Sequence, residues 1–476
     1  MNISLIIVAL YIIILFIISF FAKKRAGKGS ESYTLAGRKL TVPLVTCSLI
    51  GLAIGGSSTI GVAEQAYSLG LSAGWYNVAW GFGAIVMGLA LAGKYRDFNV
   101  STVPELFGRF YDKKSRVACV ICQIIIQIVV VSLQYIAGGA ILSSLLPGVF
   151  TLKTGMIISA CVFIGITFIG GMWSAGLCNL FNVPLKYIGI ILCTILAVSS
   201  RGGLHNLSQQ LPHNVPYFNF IQGTGIWVVL SWILIMTTQA MSMQGPVQLT
   251  FAAKNAKTAR NGFILGGLLM IPIGFLCALI GMSARTAFPG VSATMALPKM
   301  ILSLNPLVAG ITLAALWAAD VSSACSMLLG SATLISHDVY KEFINPKVDD
   351  KKLLVINKIL VCILGVITFV LALSIGGILK TISIGLSLST AFTVTFLFTI
   401  FLPKLCRRNS AFCTIIVGIV TLFLWQLVPA VRIFPHVIFM EWLACLSTFL
   451  LVAIFDKEIL KNIQVPINKS ALPKVE

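Results

Sequence analysis

Apolar stretches recur along this chain from end to end, separated by short polar segments. Leu5 to Phe21, Phe263 to Met282 and Leu353 to Ile375 are apolar for close to the roughly 20 residues that a helix needs to cross about 30 Å of hydrocarbon. Reading the apolar runs against helix breakers predicts about thirteen helices, near residues 3–22, 44–69, 75–93, 117–145, 155–171, 178–199, 224–248, 261–285, 305–336, 353–376, 378–402, 411–429 and 436–455. The fold class expected is all-α, a polytopic membrane protein. Linkers rich in Pro or Ser and low-complexity tracts are lacking, and the longest segments predicted outside the membrane are 201–223 and 286–304. A single transmembrane domain over 1–476 follows: an extra helix and loop at 1–43, a ten-helix core at 44–402, two peripheral helices at 403–455 and a tail at 456–476.

Composition excludes a water-soluble protein, with 58% hydrophobic residues, 10% charged residues and a mean hydropathy of +0.99. The first apolar segment reads as a retained span. Met1 to Ser4 carry no side-chain charge and Lys23, Lys24, Arg25 and Lys28 follow the segment, the reverse polarity of a secretory signal. A net charge of +20 raises nucleic acid as a partner, but the basic residues gather in 23–39, 94–116, 254–260, 341–358, 404–408 and 457–474, between apolar spans. With thirteen helices these clusters share one face of the bilayer. The positive-inside rule then puts the N-terminus outside and the C-terminus in the cytoplasm, in a plasma (inner) membrane, and removes nucleic acid from the partners.

Two segments depart from ordinary spanning helices. Gly51 to Thr59 holds three glycines and three hydroxyl residues in nine positions, and Gly245-Pro246 interrupts the stretch from Gln239 to Gln248. Unwound backbone is tolerated at membrane depth where it is buried in protein or lines a cavity, so paired interruptions point to a binding site near the midplane. A kink or tight packing of small residues is the competing explanation for either segment alone. With the first helix set aside, the breaks fall on helices one and six of ten, the placement of an inverted five-plus-five repeat.

A broken helix releases carbonyls that an intact one keeps engaged, and sodium needs about five or six oxygens near 2.4 Å. In Ala318 to Ser323 one helix face presents Ala319, Ser322 and Ser323 together. Paired serines in membrane helices also bond to the preceding turn, so the pattern by itself is weak.

Here the residues resemble the sodium:solute symporters. Ala36-Gly37-Arg38-Lys39-Leu40 looks like that family's AGR segment, and Thr102 to Phe110, with Pro104, Glu105 and Arg109, looks like its PEF..RF loop. Gly170-Gly171, Ala252-Ala253-Lys254 and the stretch Ser322 to Tyr340 also match, and the resemblance runs from about residue 34 to 402. It implies a LeuT-type fold and a sodium site of carbonyls from Gly51, Ile54 and Ala319 with hydroxyls from Ser322 and Ser323. It also suggests Ser57, Ser58, Asn77 and Gln239 as substrate contacts.

Departures matter as well. The family's tryptophan-threonine-aspartate run is Leu177-Cys178-Asn179 here, so the carboxylate that helps hold a second sodium is missing and the resemblance supports one ion. The aromatic residues that sugar carriers place on core helix six are replaced by Met236 to Met243, which weakens a sugar as cargo. Asp320 and Lys186 both fall within spanning helices, where an ionised side chain costs at least about 2.5–3.5 kcal/mol at the centre. They form a candidate coupling pair, by salt bridge or through a proton; the competing explanation has Lys186 snorkelling and Asp320 at a wet edge.

The expected function is a sodium-coupled symporter importing a small polar organic solute by alternating access, with a carboxylate as the favoured solute chemistry and no obligate protein partner. A proton-coupled or uncoupled carrier and a non-transporting solute sensor are the alternatives. No nucleophile and base set, paired catalytic carboxylates or metal cluster is legible, which argues against an enzyme. Cys119 and Cys122 form the only CxxC among twelve cysteines, and neither a second pair nor a histidine cluster completes a zinc site.

Overall fold

A computed structural model describes residues 3–27, 29–145, 150–374, 386–456, 458 and 460. The tail from 461, and the part of the predicted helix 378–402 before residue 386, lie outside the described residues. Those described are helical almost throughout. Eight helices are long and apolar enough to cross a membrane, or up to ten if each of two bent pairs is one span. This tally takes Leu152–Ser199 as one helix although a kink at Gly171 divides it in two, and it leaves out Thr390–Phe401 as short, so it does not decide the predicted count of thirteen.

Leu152–Ser199 shows why. Its 48 residues hold both the predicted 155–171 and 178–199 helices, joined at Gly171, whose backbone is non-helical with φ 50° and ψ −135°. Such a φ favours glycine, and a Cβ there would strike the Tyr33 carbonyl oxygen.

The first break separates Val42–Ala53 from the π-helical turn Ser57–Gly61 and the helix Val62–Leu69. Across it the stretches Val42–Ala53 and Ser57–Ala90 diverge by 61°. Ile54 leaves the helical region at φ −94°, ψ 74°, and Gly55 and Gly56 follow. Space forces those glycines: a Cβ on Gly55 would lie 2.5 Å from Ser323 Oγ, and one on Gly56 would lie 2.8 Å from Asp320 Oδ1. The second break falls at Met243, φ −78° and ψ 139°, between Ile226–Ser242 and Gln244–Ala252, with a bend of 45°. Pro246 sits in the first turn of the second half, where its missing N–H costs nothing.

Pro306–Thr333, continued by the π-helical Leu334–Ile344, is the innermost span, 83% buried across its apolar window. Ser410–Leu427 and Val437–Phe455 are only 39% and 33% buried by the same measure, as peripheral helices should be. They flank Thr390–Phe401, with Phe398 and Phe449 stacked at 4.4 Å.

The segments that enter and leave the broken helices meet. Leu40 N–H donates to the Ala252 carbonyl at 3.1 Å and Lys254 N–H donates to the Leu40 carbonyl at 2.9 Å, a short parallel bridge. Arg38 reinforces it by donating to the carbonyls of Phe251 and Val100. Two motifs far apart in sequence are thus one structural joint.

Candidate functional site

Breaking a helix frees carbonyl oxygens that must find donors or be penalised at membrane depth. At the first break each carbonyl from Gly51 to Gly55 lies within hydrogen-bond reach of a donor, with one hydroxyl shared between two of them. Ser323 Oγ lies 2.9 Å from both the Gly51 and the Leu52 oxygens. Ser58 Oγ donates to Ala53 at 2.7 Å, and Lys186 Nζ donates to Ile54 at 2.9 Å. Gly55 accepts from Ser58 N–H and from Thr59 Oγ1, both at 3.1 Å. The Pro306–Thr333 helix therefore touches the opened backbone directly, through a serine singled out by its spacing.

Ser322 faces the same region but is held differently. Its hydroxyl donates to Ala318 at 2.7 Å and accepts from Asn182 Nδ2 at 3.0 Å, while Asn182 Oδ1 accepts from Tyr11 at 2.8 Å. The first helix, Ile3–Ala26, thus reaches the site through two side chains. Ala319 is fully buried beside them. Asn179 lies against Gly51: a Cβ on that glycine would fall 2.6 Å from its side-chain amide. Neither polar atom of Asn179 has a partner.

Lys186 and Asp320 are both fully buried, so neither is at a wet edge or reaching for the interface. They are not in direct contact as an ion pair. The ammonium is engaged by Ile54, and both Asp320 oxygens lack a hydrogen-bond partner.

The substrate candidates divide. Ser57 lies beside the Tyr76 hydroxyl, and Asn77 donates to the Ser58 carbonyl at 3.1 Å, leaving its own oxygen without a partner. Ser57, Ser58 and Asn77 are thus gathered at the first break. Gln239 belongs to the second, where its amide nitrogen meets Met243 Sδ at 3.0 Å and its oxygen is unpartnered, as is Thr237 Oγ1. Unpartnered buried oxygens are what a polar solute would find.

Sequence reasoning missed the residues that hold the breaks open. Gln134 Oε1 accepts from Gly56 N–H at 3.0 Å. At the second break Gln123 bridges both sides, accepting from Gln244 N–H at 3.0 Å and donating to the Ser242 carbonyl at 2.7 Å. Both glutamines project from one helix, Lys113–Leu145. Amides inside a spanning helix were the available signal.

On the basic side a charged cluster closes over the bundle. Arg116 pairs with Asp338 at 2.8 Å and with Glu342 at 2.7 Å, beside a polar cavity of about 460 Å³ that also takes in Arg38, His337 and Asp350.

The sodium:solute symporter family model matches residues 33–418. The chain belongs to that family. Similar proteins include the sodium/glucose cotransporter of Vibrio parahaemolyticus, 26% identical over 75% of this chain and 71% of the relative. The osmoregulated proline transporter of Bacillus subtilis (strain 168) is 26% identical over 89% of each chain, and the sodium/proline symporter of Staphylococcus aureus is 25% identical over 77% and 74%. Among solved structures, a Na+-coupled sialic acid symporter in a substrate-bound outward-open state superposes with a TM-score of 0.79 at 17% identity, covering 95% of this chain and 97% of that one. Mhp1, a nucleobase-cation-symport-1 family transporter, gives 0.63 at 14% identity, over 89% and 94%. The family and the LeuT-type architecture implied by the motifs are both present.

Proposed function

We propose that this symporter-family chain imports a small polar organic solute together with sodium by alternating access, as an integral protein of the plasma (inner) membrane. The contact of Ser323 with Gly51 and Leu52 carries the reading, because it joins freed backbone oxygens to hydroxyls of a second helix at the buried centre of the bundle. Sodium, as co-substrate, would be held by the Gly51, Ile54 and Ala319 carbonyls and by Ser322 and Ser323. Asn179, with no hydrogen-bond partner of its own, packs against Gly51 beside this set.

Bridging the two helices favours the conformation in which the solute pocket is formed, so sodium raises solute affinity and the solute raises sodium affinity by the same factor. A membrane potential adds about 2.3 kcal/mol per charge per 100 mV. Ser57, Ser58, Asn77 and Gln239 supply hydroxyls and amides but no charge. This chemistry suits a carboxylate held by freed N–H groups and hydroxyls. The relatives are named for proline, glucose and sialic acid. Two of those three solutes carry a carboxylate.

The basic clusters favour a cytoplasmic C-terminus and an outside N-terminus. A carrier driven by protons, or by no ion, is the second reading. Its support is Lys186, a charge already resting on Ile54. Uptake of a panel of amino acids, sugar acids and sugars into proteoliposomes, with a sodium gradient or with choline, separates the two. Accumulation that needs sodium supports symport, and equal uptake in choline sinks it.

A further inference from the structure

The donors that cover the opened carbonyls at the first break are neutral hydroxyls and N–H groups, with one exception. Ile54 accepts from an ammonium, and the lysine that carries it is fully buried. Buried cations are held in place by partners, and among the described residues the one hydrogen-bonded to this ammonium is an oxygen assigned to sodium. One turn from Ser323 on the facing helix, Asp320 is equally buried and its oxygens are without hydrogen-bond partners.

We propose that the Lys186 ammonium is a tethered cation that holds the Ile54 carbonyl while sodium is absent, and that sodium enters by displacing it toward Asp320. The inference rests on the sodium reading of this site and adds the step by which the ion gains access.

The geometry leaves little choice once sodium arrives. A sodium ion at about 2.4 Å and an ammonium at 2.9 Å from one oxygen put two positive charges at most about 5 Å apart in a site shielded from water, where like charges repel strongly. One must leave. Lys186 lies in the field of Asp320, whose carboxylate faces Gly56 across the break. The other titratable groups are Cys47, which faces Lys186 from the helix leading to the break, and Tyr11, which faces Asp320 and whose hydroxyl is already given to Asn182. Neither offers a negative charge in its ordinary form, so Asp320 is the acceptor. Moving the ammonium there frees the Ile54 oxygen, satisfies a buried carboxylate and binds Leu152–Ser199 to Pro306–Thr333 by an ion pair that exists only when sodium is bound. The site's charge rises by one on sodium binding, and no proton or electron need move.

Two measurements test this. Thermal stability of the purified full chain is titrated with sodium chloride, choline chloride keeping ionic strength constant, for the natural chain, Lys186→Met and Lys186→Arg. Loss of the competing charge should lower the sodium concentration for half-maximal stabilisation by about tenfold or more in Lys186→Met, and the arginine variant should show no such fall. An unchanged or raised sodium requirement in Lys186→Met overturns the proposal. Structures of the natural chain in sodium and in choline serve if the variants do not fold. The Lys186 nitrogen should lie on Ile54 in choline and within hydrogen-bond distance of Asp320 in sodium; a sodium ion bound in the cradle with the Lys186–Ile54 bond intact overturns it. Should sodium stabilise Lys186→Met alone, Lys186 still occupies the site as a tethered cation, but its displacement by sodium is overturned and sodium symport falls with it. Should sodium bind neither chain, both fall.

Discussion

Ser323 Oγ sits 2.9 Å from the carbonyl oxygen of Gly51, a residue 272 positions earlier in the chain. A hydroxyl has one proton, so only one of the Gly51 and Leu52 oxygens is served at a time. The lone pairs remain available to a cation once that proton turns away. The same group can therefore close the opened helix in sodium's absence and ligate the ion in its presence.

Replacing Ser322 and Ser323 together by alanine removes two of the five proposed sodium oxygens. Each is worth about 1 kcal/mol or more as a polar contact, so the sodium concentration for half-maximal uptake should rise by at least about tenfold. Initial uptake rates measured against sodium at fixed solute check this, and unaltered sodium dependence would remove the site assignment.

Gly51→Ala should be harmful through Asn179, because the added Cβ would fall 2.6 Å from the amide. Overpacking of this kind costs about 1–3 kcal/mol. Lower thermal stability is expected for Gly51→Ala, with partial recovery in the Gly51→Ala, Asn179→Ala double variant. A double variant that simply adds the two losses would show that the contact does not govern the effect.

Gln134→Leu and Gln123→Leu each strip a buried N–H of its acceptor at a break. An unmet donor costs about 1–3 kcal/mol. The two variants should differ in function: Gln134→Leu disturbs the cradle and should weaken sodium, whereas Gln123→Leu disturbs the other break and should raise the KM for solute with sodium affinity nearly kept. Separate titrations of sodium and solute in the same proteoliposomes distinguish them.

Arg116→Met leaves Asp338, which is fully buried, without its cation. Breaking a buried pair in this way costs about 3–5 kcal/mol. A fall in melting temperature is expected, and the double variant with Asp338→Asn should recover much of it. No fall in either variant would mean that the pair is not structurally important.

Membrane burial, the two breaks and the serine pair were legible because each leaves a local mark: length of apolar run, glycine density, hydroxyl spacing. What escaped depends on which side chains meet across the bundle. The damage assigned to Gly245-Pro246 falls at Met243, since proline is at ease in a first turn and the unwound residue is the one before it. Gln123, Gln134 and Asn182 look in sequence like stray amides on apolar helices, and only packing shows that they hold the freed backbone. The pairing expected between Lys186 and Asp320 depended on where one ammonium points, which neither residue's neighbours in sequence determine. Glu441 is fully buried near the start of its helix, with Ser387 donating to it at 3.2 Å, a contact that nothing in the neighbouring sequence marks.

The Leu40–Ala253 bridge ties the approach of one interrupted helix to the exit of the other. Two hinges yoked at their roots cannot swing out of phase, so slippage in which one half yields alone is suppressed.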